Sequence, residues 1–235
     1  MSDESQKASD SRRPVALHVL TFVTGLVDAV SFLGLGHIFT ANMTGNIVFL
    51  AFAVAGTPGL SIARSLTSLI AFLVGAIIGG RLGLAMATAR RRWILTVATS
   101  EAILLFVAAL VATGFNVESA TPVSHLYAMI ILTAVAMGLR NATVRRLAVP
   151  DLTTTVLTLT LTGLAADSSL GGGSNPRLSR RIASVLLMFG GAALGALLVL
   201  RQGLALPLVL SGTGVLVAIA IFAVAPSSVP SRQDK

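Results

Sequence analysis

In GLVDAVSFLGLGHIFTANMTGN, residues 25–46, an acid inside an apolar run is followed by a polar patch whose last eight residues hold two amides and two hydroxyls. Asp28 lies about fifteen residues beyond Arg13, which at 1.5 Å per helical residue is roughly 22 Å along a helix. An ionised carboxylate at such a depth in hydrocarbon costs several kcal/mol unless it is paired, hydrated or protonated, so it must face the interior of a bundle. It is then either a proton- or cation-sensitive group, part of a solute site, or a tie between helices through Ser, Thr or Arg. After it, FTANMTGN supplies Thr40, Asn42, Thr44 and Asn46, with His37 just ahead as a secondary candidate. Broken backbone at membrane depth is tolerated only where it is buried in protein or lines a wet cavity. Asn42 and Asn46 are four apart, hence on one face if helical. Their alternative role is helix–helix hydrogen bonding, worth under about 2 kcal/mol per contact.

A second polar group lies in the other half of the chain: Asn141, then TTTVLTLTLTG at 153–163 with Thr154 and Thr158. An open strand cannot stand in lipid, so this Thr–Leu alternation is read as helix, with hydroxyls able to bond back to their own backbone. Glu101 is a second acid within an apolar run. Arg140 is the best basic candidate for the interior, but it lies five residues from Arg145 and is expected to snorkel to the cytoplasmic surface. Gly75 with Gly79 and Gly191 with Gly195 form GxxxG pairs, whose expected role is close helix packing. His18, His37 and His125 lack metal-ligand spacing, so no metal site is expected. GGGSNP at 171–176 is not followed by Lys-Ser/Thr and reads as a flexible connection, not a phosphate cradle. No nucleophile–base pair or paired-carboxylate motif appears, so no catalytic residue, no cofactor and no enzyme activity are expected.

The elements that must position these groups are membrane helices. With 54% hydrophobic and 11% charged residues and a mean hydropathy of +0.88, the chain is far from globular averages. Its apolar runs are continuous, where a barrel would alternate. The expected class is all-α, a polytopic transmembrane helix bundle. Apolar runs fall at 15–36, 39–55, 62–88, 93–114, 123–139, 152–166, 182–200 and 204–225. Placement of arginines decides between eight and six spans. Eight spans would put Arg90, Arg91, Arg92, Arg140, Arg145, Arg146 and Arg201 outside. Six spans, with 39–55 and 152–166 as short re-entrant or broken segments, gather fourteen of the 17 Lys and Arg residues in the cytoplasm. Six is therefore preferred, with both termini cytoplasmic. Residues 1–13 and 227–235 are read as cytoplasmic tails, the first disordered, around one transmembrane domain at 14–226. The net charge of +8 arises from these end clusters, which argues against nucleic-acid binding.

GLVDA at 25–29 matches GLRNA at 138–142, an offset of 113, and FLVGAIIGG at 72–80 matches MFGGAALGA at 188–196. Halves of about 14–114 and 122–226, each with three spans, would be inverted relative to one another.

At GLVDAVSFLGLGHIFTANMTGN and RNATVRRLAVPDLTTTVLTLTLTG the sequence resembles the YoaK-like family of bacterial membrane proteins. The resemblance implies six helices and a bacterial plasma (inner) membrane location, and it carries over no catalytic residues. The reading reached is a small-solute transporter or channel of unknown substrate, lined by Asp28, Asn42, Thr44, Asn46, Asn141, Thr154 and Thr158. The alternative is a non-transporting scaffold or accessory subunit whose polar groups only pack helices. Expected partners are the lipid bilayer and a small solute, with homo-oligomerisation left open.

Overall fold

The structure, a computed structural model, describes residues 3–147 and 157–223. It is an all-α bundle of α1 (Asp3–Gly34), α2 (Met43–Val54), α3 (Ile62–Ala85), α4 (Arg90–Ala112), α5 (Val123–Leu147), α6 (Leu157–Ala166), α7 (Leu178–Gln202) and α8 (Ala205–Ala223). Six helices are long and apolar enough to cross a membrane, α1 over Val15–Gly34. α2 and α6, at 12 and 10 residues, reach only about 18 and 15 Å, well short of the roughly 30 Å hydrocarbon core.

α1 and α5 are the central helices, with 67% and 56% of their most apolar stretches buried against 22–33% for the other four. α1 packs on α7 and α8, α5 on α3 and α4, and α4 on α8. Two crossings bring backbone against backbone, and glycine makes both. In the α1–α7 crossing a methyl on Gly25 would lie 2.6 Å from Ala192 N, and one on Gly195 2.8 Å from Ala29 Cβ; Gly191 faces the Phe22 carbonyl. In the α5–α3 crossing a methyl on Gly138 would lie 2.8 Å from Ala76 N, and one on Gly79 3.0 Å from Ala142 Cβ; Gly75 faces the Val135 carbonyl. Small residues are what lets helices approach so closely, since dispersion between backbones replaces the hydrophobic drive that lipid removes. The shared core is apolar and drawn from several helices: Val23 and Val27 of α1, Leu105 of α4, Ile130 and Met137 of α5, Leu208 and Val215 of α8.

One end of the bundle is basic, carrying Arg90 to Arg92 at the start of α4 and Arg145 and Arg146 in the last turn of α5. There Arg146 lies 5.9 Å from the centre of the Trp93 ring. The expected tail at 1–13 is corrected in part, because α1 is helical from Asp3; that stretch includes Glu, Gln, Lys, Ala and Arg, which favour helix, and it prolongs the helix ahead of the apolar span that starts at Val15. The tail at 227–235 lies outside the described residues.

Candidate functional site

α1 ends at the far end of the bundle in a Schellman turn. Gly36 takes the left-handed conformation at φ +88°, and His37 N–H donates to Phe32 O at 3.1 Å, closing the helix as a C′ glycine does. The chain then folds back beside the last two turns of α1. The contact that defines its depth is the Asn42 amide, whose Nδ2 donates to Asp28 Oδ2. Asn42 is also the residue from which α2 starts, so the short helix begins inside the bundle and runs back towards the far end.

Asn46 holds this break in place. Its Oδ1 accepts from Phe39 N–H at 2.7 Å, and its Nδ2 donates to Phe39 O and to Ser68 Oγ at 3.1 Å. Ser68 Oγ in turn donates to Phe39 O at 2.7 Å. Non-helical backbone needs such partners when no water is at hand. Asn46 is fully buried, so in this arrangement it is a positioning residue. Thr40 is buried, whereas Thr44 and His37 are exposed. His37 stacks edge-on against Phe32 at 5.2 Å, and Phe32, Phe39 and Phe49 form a ring cluster beside it. A shallow pocket opens there, lined by Phe32, His37, Phe49, Pro58, Gly59 and Leu60.

Asp28 itself is 6% exposed, and its Oδ1 has no hydrogen-bond partner in the protein. Asp28 and Arg140 are not in ion-pair contact. The guanidinium is instead bound to Glu101: Nε donates to Oε1 at 2.7 Å and Nη2 to the same oxygen. Its Nη1 donates to Thr24 Oγ1 at 3.0 Å and Leu20 O at 3.2 Å. Snorkelling of Arg140 is therefore corrected, since it is 2% exposed and held on three helices. The physical reason is the acid on α4: a guanidinium with a carboxylate, a hydroxyl and a carbonyl has all its charge-assisted bonds inside, and water offers nothing better. Thr24 was not singled out in the sequence, although it lies one turn before Asp28 on the same α1 face.

In the second half, Asn141 is half-buried and donates to Met137 O at 2.8 Å. Thr158 is exposed on α6, and Thr154 lies outside the described residues. α6 is tied down by Arg181, whose Nη1 donates to Gly163 O at 2.7 Å and pairs with Asp167 at 2.7 Å. This tie is not legible in the sequence, where Arg181 is one of the fourteen Lys and Arg residues that the six-span reading gathers in the cytoplasm. No three His, Asp or Glu residues that could hold a metal ion converge among the described residues.

Six apolar spans, two short helices and charges confined to the interior and the ends make this an integral, multi-pass α-helical membrane protein. A family model described as "Protein of unknown function (DUF1275)" matches residues 16–222. The chain belongs to that family. It is also similar to the UPF0700 transmembrane protein YoaK of Bacillus subtilis (strain 168), 37% identical over 158 residues, or 67% of this chain and 68% of that protein. No solved structure matches it.

Proposed function

We propose that the protein is a small-solute transporter or channel of the bacterial plasma membrane, built from two inverted halves, with its basic end and both termini in the cytoplasm and no enzyme activity. The observation that carries the reading is Asn42 on Asp28: a break in the chain brought to membrane depth and set against a buried acid with one carboxylate oxygen unpartnered. Transport sites are commonly built this way, from short helices that start at the interface between repeats.

The inverted repeat is supported by the packing. Gly25 and Gly138, Phe22 and Val135, and Ala29 and Ala142 are each 113 residues apart, and Gly75 and Gly191, and Gly79 and Gly195, each 116 apart. These are the residues that meet in the two crossings, each contact in one having its counterpart in the other. The same offset pairs Asp28 with Asn141. Placing the basic end inside rests on the bias of Lys and Arg towards cytoplasmic loops.

The test uses the absence of cysteine. A membrane-impermeant, uncharged thiol reagent should modify Asn42→Cys from outside and Thr158→Cys from inside in intact cells and inverted vesicles. Protection of both positions from both sides would overturn the transport reading and leave the scaffold role, which the three-helix tie through Arg140 favours.

A further inference from the structure

We infer that the solute is a small cation, received at Asp28 Oδ1 from the far end of the bundle through the aromatic pocket around Phe32. This rests on the transport reading and adds the charge of what is carried.

Charge balance inside the bundle is the first ground. Among the described residues the buried acids of the spans are Asp28 and Glu101, and the buried bases are Arg140 and, near the start of α7, Arg181, which is paired with Asp167. Arg140 and Glu101 neutralise one another at contact distance. Asp28 makes no contact ion pair among the described residues: the Arg140 charge reaches it only through space, and its one side-chain hydrogen bond comes from the neutral Asn42 amide. In the corresponding place of the second half stands Asn141, so no second charge arrives by symmetry.

The second ground is the direction of the hydrogen-bonding groups. Oδ2 of Asp28 accepts from Asn42, while Oδ1, in a side chain more than nine-tenths buried, has no partner in the protein. Thr40 Oγ1, two residues from Asn42 and fully buried, also lacks one. An unmatched buried carboxylate oxygen calls for a donor or a cation, and an anionic solute would meet repulsion there.

The third ground is the approach. Thr24, Asp28 and Phe32 follow one another at four-residue spacing, so they line one face of α1. Thr24 meets Arg140, Asp28 meets Asn42, and Phe32 meets the ring cluster and the shallow pocket. A cation entering there meets Phe32 and Phe49, the aromatic rings that line the pocket and attract it, and Asp28 stands one helical turn further in from Phe32 on the same face of α1.

The experiment compares rates of modification of Asn42→Cys in whole cells by three thiol reagents of similar size: a cationic methanethiosulfonate carrying trimethylammonium, an anionic one carrying sulfonate, and an uncharged one. Thr57→Cys, in the exposed loop before α3, corrects for intrinsic reactivity. The corrected cationic rate should exceed the anionic rate about tenfold or more, and Asp28→Asn in the same background should bring the two within about twofold. Equal rates, or a faster anionic reagent, with Asp28 intact would overturn the cation inference while leaving a water-filled path standing. No reaction with any reagent, the uncharged one included, would overturn the path itself and the inference with it. Should Asp28→Asn not reach the membrane, Asp28→Ser serves as the neutral variant and Asp28→Glu must keep the preference.

Discussion

Breaking the Glu101–Arg140 tie gives the most direct measure of how the interior is held. Both side chains are almost fully buried, and the guanidinium joins α4, α5 and α1 through Glu101 Oε1, Thr24 Oγ1 and Leu20 O. Arg140 stands seven residues before the end of α5 and Glu101 eleven after the start of α4, about 10 and 16 Å in from the basic end. Both charges lie inside the bundle, where each is the other's ion partner. Glu101→Leu leaves a buried arginine, and Arg140→Met a buried glutamate; each should cost about 3–5 kcal/mol, because removing one partner leaves the other charge uncompensated. The double variant removes both charges and fills the space with apolar groups, so it should recover most of that loss. Thr24→Val removes one charge-assisted bond and should cost about 1.5–3 kcal/mol in the parent and much less where Arg140 is already Met. Folded fraction across an SDS titration in mixed micelles measures all of these. A single variant costing less than about 1 kcal/mol, or a double variant whose loss is the plain addition of the two singles, would refute the reasoning.

Adding a methyl at Gly25 or Gly138 should destabilise by about 1–3 kcal/mol or more through overpacking, since each faces backbone across its crossing. Gly80→Ala, where no atom lies within 4 Å, should be neutral; thermal unfolding in detergent separates them, and equal midpoints for the three would contradict the packing. Asn46→Ala strips Phe39 N–H of its partner and leaves Phe39 O with Ser68 alone, so it should cost about 1–3 kcal/mol and speed hydrogen exchange across residues 36–46 before any other segment. Arg181→Ala should free α6 from α7, seen as faster exchange or proteolysis over 163–176 with the rest of the bundle unchanged. For orientation, Thr57→Cys should react only from outside and Ser174→Cys only from inside, the reverse being the result that inverts the assigned sides.

Much of the architecture is legible in the sequence alone. Apolar run length reports a bilayer's thickness directly, so six long helices and two short ones follow from composition along the chain. The GxxxG pairs and the GLVDA–GLRNA match could be read because close helix crossings accept so few residue types. Asp28 and Asn42 could be picked out because polar groups in apolar runs are costly and few. That Asn42 turns back onto Asp28, fourteen residues away, was not readable, since the return depends on a glycine turn and on Ser68 of another helix receiving Phe39.

Arg140 shows the boundary between the two kinds of information most plainly. The sequence by itself determined that it lies in an apolar run near a basic cluster, and from there a long flexible side chain can reach either the surface or the interior. Only the tertiary structure decided, because the choice rests on Glu101 and Thr24, 39 and 116 residues away along the chain. Local pattern records what a residue costs in hydrocarbon; whether that cost is met depends on which distant groups packing brings within hydrogen-bonding reach.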